Sequence, residues 1–189
     1  KGSYRCPMPD VTAVYGTAFR DILVRRCNYP KSAVVITGAQ RFDRIVEKGA
    51  DVRKELGIPE SKKILALITS PVSRGENEAL TKTVFSAVKN FSDTQLVVKI
   101  HPNESDSVYH NIKRRLASDA IIVRDIDLYD LIRTSAAAMT YLSTAGMEAL
   151  LLGKSLVVIN LSGRADVVPY VQEKAAIGVY RAEDLKPAI

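Results

Sequence analysis

Four small or hydroxyl-bearing residues, Ser143-Thr144-Ala145-Gly146, stand directly ahead of an apolar helical pattern that carries a carboxylate, Glu148. A helix N-terminus offers unpaired backbone N–H groups and the positive end of the helix dipole, so such a turn can bind phosphate. The two hydroxyls add donors, and Ala145 and Gly146 let an anion come close to the backbone. Glu148 could accept from the vicinal hydroxyls of a ribose. The same residues also read as ordinary helix punctuation, with Ser143 or Thr144 as N-cap and Glu148 favouring the dipole. They are not a capping box, because the residue three before Glu148 is Ala145. A second candidate is His101 in Lys99-Ile100-His101-Pro102-Asn103-Glu104, where it could donate to a phosphate or carry a proton. It also reads as a loop residue satisfied by the backbone. A third group is the loop from Thr69 to Asn77, which holds Ser70, Ser73 and Arg74. Asp125 and Asp127 read as a turn and a helix cap, and His110 as a solvated helix residue, so no metal site is expected.

These residues need elements to hold them. Short Val-, Ile- and Leu-rich runs occur at 64–68, 96–100, 120–123, 136–141, 156–159 and 177–180, with little alternation, as in strands covered on both faces. Helical periodicity lies between them, through Leu80, Val84, Ala87 and Val88, then Ile112 and Leu116, then Leu128, Leu131 and Ile132. This is an α/β chain with a doubly wound parallel sheet. In such sheets ligands bind beyond the carboxyl ends of the strands, where the strand order reverses. With the order 3-2-1-4-5-6 the reversal falls between the runs 64–68 and 136–141, and the loops leaving them carry Ser70, Arg74 and Ser143–Gly146. Ahead of this domain lies one strand–helix unit: a strand over 11–15, a helix capped by Thr17, and then Val34–Ile36 running into Thr37-Gly38. A helical stretch over 41–56 follows, ending at Gly57. We therefore expect residues 1–60 to close an earlier domain and connect it to a six-stranded domain over 61–189.

The bulk numbers narrow the classes. A chain of 189 residues, 47% hydrophobic and 25% charged, is an ordinary globular protein. No apolar run approaches the roughly 20 residues that span a bilayer. Cys6 and Cys27 are too few for a disulfide framework or a zinc site, which suits a reducing cytosol. The net charge of +6 suits anionic partners. No Trp is present and no nucleic-acid-binding motif is found, so a nucleic-acid partner is not expected.

The stretches KIHPNES (99–105), DLYDLIRTSAAAMTYLSTAGMEALLLGKSLVVINL (127–161) and VVITGAQRFD (34–43) together resemble GT-B-type sugar-nucleotide enzymes. That superfamily includes UDP-N-acetylglucosamine 2-epimerases and transferases of surface-polysaccharide synthesis. The resemblance runs from Asp10 to near the end of the chain. It implies a Rossmann-like C-terminal domain of a GT-B fold, preceded by the last strand–helix unit of an N-terminal acceptor domain that this chain lacks. It also implies that Ser143, Thr144, Ala145 and Gly146 contact the donor's phosphates and that Glu148, five residues before Gly153, holds the ribose. His101-Pro102 is similar to the "HP" motif whose His meets the donor phosphate, which makes His101 the catalytic candidate. Arg74, Glu76 and Asn77 look like the remnant of the epimerases' His-Arg-x-Glu-Asn loop. Arg164 falls near their Arg-Pro-Glu segment, without its Pro and Glu.

Two departures favour a transferase over a strict epimerase: no His stands near Pro71 or Val72, and Ser-Thr-Ala-Gly replaces Ser-Gly-Gly. The expectation is therefore the nucleotide-sugar-binding domain of a glycosyltransferase-like enzyme of cell-surface polysaccharide synthesis. Its partner would be a UDP- or CMP/CDP-linked sugar, with no cofactor and no metal. It would be cytoplasmic, touching the anionic inner face of the membrane through its basic charge. A 2-epimerase-like enzyme and a non-catalytic Rossmann-like module are the alternatives. A dehydrogenase is disfavoured, because no Gly-x-Gly-x-x-Gly follows the run 64–68.

Overall fold

The six apolar runs pair side by side, each parallel to its neighbours. In the computed structural model, which describes residues 8–189, they are β3 (Lys63–Ile68), β4 (Thr94–Lys99), β5 (Ile121–Val123), β6 (Ala137–Thr140), β7 (Ser155–Ile159) and β8 (Ile177–Val179). Two further strands, β1 (Thr12–Val14) and β2 (Val34–Ile36), precede them. The six-stranded sheet runs β5-β4-β3-β6-β7-β8. Numbered from β3 this is the expected 3-2-1-4-5-6, with the reversal between β3 and β6. Those two strands pair from Leu65↔Ala137 to Ile68↔Thr140, so both end at the same level.

The sheet is covered on both faces because its strands are apolar on both. Leu65, Leu67, Leu96 and Val98 pack with Val84 and Phe85 of α3 (Arg74–Val88), Ile112 of α4 (Ser107–Leu116) and Leu185 of α7 (Leu185–Ala188). Their neighbours in sequence, Ile64, Ala66 and Val97, join a separate cluster with Val52 of α2 (Val52–Leu56) and Leu131 of α5 (Leu128–Thr134). Side chains alternate across a strand, which explains the two clusters. Helix α6 (Ala145–Leu151) packs on α5, β6 and β7.

Local sequence sets where the helices begin. Ser73 and Glu76 form a capping box at the start of α3, each side chain accepting from the other's backbone N–H. Asp127 accepts from the N–H groups of Tyr129 at 2.9 Å and Asp130 at 3.1 Å, and so starts α5. The stretch 41–56 is not the continuous helix that its pattern suggests. A 3-10 helix spans Gln40–Val46, and α2 begins afresh behind Asp51, whose carboxylate accepts from the N–H of Arg53. Gly49 lies in the break, close against the Asp130 and Arg133 side chains of α5. Gly57 then ends α2 at φ 65°, a left-handed conformation suited to glycine.

The chain divides into two compact units, up to Val46 and from Glu47 to Ile189. In the first, β1 and β2 pair in parallel from Thr12↔Val34 to Val14↔Ile36, with α1 (Thr17–Arg26) between them. Val34–Ile36 is thus a second strand and not only a run into a connector. Gly16, not Thr17, occupies the N-cap of α1, and no side chain caps it. The aromatic rings of Tyr15, Phe19 and Phe42 meet edge to face, and the Arg41 guanidinium stacks over Tyr15. Cys27 is exposed, whereas Cys6 lies outside the described residues. Among the described residues no helix is long and apolar enough to cross a membrane.

Candidate functional site

The loops leaving β3, β4, β6 and β7 all lie at the carboxyl edge of the sheet. Adjacent strands stand about 4.8 Å apart, so the ends of β4 and β6, on either side of β3, are roughly 10 Å apart. That is the scale of a diphosphate with its flanking groups.

His101 is held at three points. Its backbone N–H donates to Thr69 Oγ1 at 2.9 Å. Its carbonyl accepts from Arg124, which also donates to the carbonyls of Pro102 and Glu104 at 3.0 and 2.8 Å. Its ring Nδ1 accepts from the N–H of Asn103 at 3.2 Å, so the neutral ring carries its proton on Nε2. Beneath this turn lies a buried polar cluster. The Glu104 carboxylate accepts from the Thr69 hydroxyl, from Asn77 Nδ2 at 2.8 Å and from the Tyr109 hydroxyl at 3.0 Å. Asn77 also donates to the Tyr109 oxygen and accepts from the Thr81 hydroxyl. Burial, above all, pushes the Tyr109 phenol up to about 12, so it stays a donor at physiological pH.

Ser70 is buried, and its hydroxyl has no hydrogen-bond partner among the described residues. An orphaned buried hydroxyl is the kind of group that a ligand or a water satisfies. Arg74 is exposed in the first turn of α3. Nearby, Arg164 pairs with Glu76, joining the loop after β7 to the start of α3. Below this pair is a mainly apolar pocket of about 200 Å³ lined by Gly75, Glu76, Leu80, Tyr141, Leu161 and Ser162.

The 143–146 turn starts α6, with Thr144 at the N-cap position and the Ser143 hydroxyl accepting from the N–H of Ala145 at 3.1 Å. Gly146 has a packing reason to lack a side chain: a Cβ there would meet the Tyr170 ring at 2.8 Å and Leu156 at 3.0 Å. The Tyr170 hydroxyl in turn donates to the carbonyls of Ser143 and Thr144 at 3.3 Å. The close approach that Gly146 permits in this structure is therefore to Tyr170. Glu148 lies in the first turn of α6 and is 4% exposed.

The structure thus brings Ser70, His101 and Arg74 with Arg164 to the loops around the β3 end, and Ser143–Gly146 and Glu148 to the neighbouring β6 end. Glu104, Tyr109, Arg124, Asn160 and Tyr170 were not singled out from sequence. Asn160 is a buried organiser of the loop after β7, donating to Arg164 O and Asp166 Oδ1 at 2.8 Å and accepting from Ser162. Its position directly after an apolar strand was the available signal. Among the described residues no group of three His, Cys, Asp or Glu side chains could hold a metal ion.

The six-stranded parallel sheet has the Rossmann-like fold of a GT-B half, and the likeness to solved structures agrees. Staphylococcus aureus MnaA with UDP superimposes at a TM-score of 0.69, with 16% identity over 95% of this chain and 49% of that one. The UDP-GlcNAc 2-epimerase of Methanocaldococcus jannaschii, in complex with UDP-GlcNAc and UDP, gives 0.68 with 18% identity over 95% and 53%. A variant of the wall teichoic acid polymerase TagF gives 0.63 with 16% identity over 95% and 49%. The chain spans about half the length of these proteins, and at such identities the likeness concerns the fold. No curated protein matches the chain. Residues 70–165 match the family described as capsule polysaccharide biosynthesis protein. That is half of the chain, and the chain belongs to this family.

Proposed function

We propose that this chain is the nucleotide-sugar-binding part of a GT-B glycosyltransferase acting in capsule polysaccharide synthesis. The observation that carries the reading is the placement of His101 and the 143–148 segment at the ends of β4 and β6, the two strands that flank β3 where the strand order reverses. In this reading, the donor's diphosphate or phosphate lies across the β3 end. His101 Nε2–H donates to it from one side. The backbone N–H groups and hydroxyls of Ser143 and Thr144 donate from the other, and Glu148 holds the ribose. These donors neutralise charge as it develops on the leaving phosphate, which lowers the barrier to transfer without requiring a metal. Ser70 and Arg164 face the transferred sugar, with Arg164 exchanging its Glu76 partner for an anionic group of the donor.

In this reading residues 1–60 are the end of an N-terminal acceptor domain and the connector that follows it, and residues 61–189 form the donor domain. The acceptor and its general base belong to that other domain in this reading. The family match and the missing His near Pro71 support transfer over epimerisation. The basic charge supports contact with the anionic inner face of a membrane from the cytoplasmic side.

Calorimetric titration with UDP, CDP and CMP, repeated on Glu148→Ala, tests the reading. One nucleotide should bind, with affinity cut at least about tenfold (about 1.4 kcal/mol) in the variant. Binding of none of them to the wild-type chain, or equal binding to the variant, counts against it. Product analysis without an acceptor separates the two reactions, since an isomerised sugar nucleotide would mean an epimerase.

A further inference from the structure

We propose that Glu104 is a positioning residue of the site, acting through Thr69 and the 101–104 turn to fix which ring nitrogen of His101 carries the proton and where it points. The inference rests on the reading that His101 meets the donor phosphate, and it adds what makes that encounter possible.

The geometry has a direction. The Thr69 hydroxyl has one proton, and it goes to the Glu104 carboxylate. Its oxygen is then left to accept, and it accepts from the backbone N–H of His101. A carboxylate only accepts, so it enforces this polarity, and a carboxamide would not. The other oxygen of Glu104 takes donors from Asn77 and Tyr109, both buried and both on helices behind the loop. The turn therefore stands on a frame made by α3 and α4. Arg124 closes it from the far side by donating to three carbonyls within four residues. Within a turn held this way, the N–H of Asn103 faces His101 Nδ1 and excludes a proton there. Only then does Nε2 present a donor to an anion. A turn free to relax would let the ring populate the other tautomer or rotate, and the donor would be lost.

The cluster also joins two loops that chain order keeps apart. Thr69 leaves β3 and Glu104 closes the turn after β4, yet one hydrogen bond joins them. Ser70, with its orphaned hydroxyl, is the next residue after Thr69, so displacement of Glu104 moves both candidate contacts together.

The test is nitrogen-15 NMR of the His101 ring in the whole chain at alkaline pH, compared between wild type, Glu104→Gln, Thr69→Val and Thr69→Ser. The ring of the urea-unfolded chain gives the unconstrained reference. In the wild type the Nε2–H tautomer should exceed its reference ratio to the Nδ1–H form by at least about tenfold (about 1.4 kcal/mol). Glu104→Gln and Thr69→Val should return it toward the reference, while Thr69→Ser, which keeps the hydroxyl, should retain the wild-type ratio. Thr69→Val is nearly isosteric, so the relay can be cut even if the Glu104 variant fails to fold. A wild-type ratio in both Glu104→Gln and Thr69→Val overturns the proposal, whatever their melting temperatures. Parallel titrations with UDP, CDP and CMP separate the two levels. A tautomer change with no nucleotide bound by the wild type leaves the positioning intact and refutes the nucleotide reading. A bound nucleotide whose affinity is unchanged in variants with a shifted tautomer refutes the role of this positioning in the site.

Discussion

Gly146→Ala should destabilise the chain, although alanine is the better helix former. The added methyl would lie 2.8 Å from Tyr170 Cε2, 2.9 Å from its Cζ and 3.0 Å from Leu156 Cδ2. Leu156 is 2% exposed, and Tyr170 is 6% exposed with its hydroxyl engaged by two carbonyls, so neither can step aside freely. Overpacking of this kind costs about 1–3 kcal/mol. The opposing gain in helix propensity is at most about 1 kcal/mol, and less in a first turn. The net expectation is a loss of about 1–2 kcal/mol. With a urea m-value of about 2–3 kcal/mol/M for a chain of this size, the midpoint falls by about 0.5 M. Circular dichroism is the suitable probe, because the chain has no Trp. In a Tyr170→Ala background the ring is gone, so Gly146→Ala should cost less by about 1 kcal/mol in a double-mutant cycle. An unchanged or raised midpoint for Gly146→Ala would refute the packing account. Gly146 would then be read as serving the approach of a ligand alone.

Other outcomes follow from the same geometry. The Glu76–Arg164 pair is exposed on the Arg164 side, so Arg164→Ala should change stability by less than about 1 kcal/mol; Ser73→Ala, which removes the α3 cap, should cost about 1 kcal/mol in urea unfolding. Asn160→Ala should cost about 1–2 kcal/mol, because it removes a buried side chain's hydrogen bonds to the loop after β7, and it should raise proteolysis between 160 and 166. Two tyrosines should titrate late: burial holds Tyr109 at about 12, and the hydrogen bond to Asp166 holds Tyr180 at about 12. Since a phenol ordinarily titrates near 10, folding favours the neutral form. This stabilisation is complete below about pH 10 and is lost as pH rises through 12. Ultraviolet titration of phenolate should show late-titrating groups, and Tyr109→Phe and Tyr180→Phe should each remove one.

Much of the framework was legible in the residue order. All six runs read as strands are strands, with ends shifted by a residue or two, and the helices at 74–88, 107–116 and 128–134 carry the expected apolar faces. Strands buried on both faces must be continuously apolar, and helices between them must show a 3.6-residue stripe, so both signals are local. The strand order, and with it the switch point, followed from the same α/β logic. The misreadings were local as well. The 41–56 stretch kept a helical pattern but is broken where Gly49 packs against α5, a contact no window of sequence contains.

The inside of the site was decided by tertiary structure. His101 was visible as a His at a strand's end, but the frame that aims it comes from Thr69, Asn77, Tyr109 and Arg124, drawn from four other parts of the chain. Arg164 was expected to meet a ligand and is found paired with Glu76, 88 residues away. Gly146 looked like an opening for phosphate, yet Tyr170 fills the space beside it. Sequence by itself determined which residues reach the carboxyl edge of the sheet, because that depends on periodicity and on how parallel strands connect. Which of them hold one another there depends on side-chain directions across separate loops, and folding alone sets those.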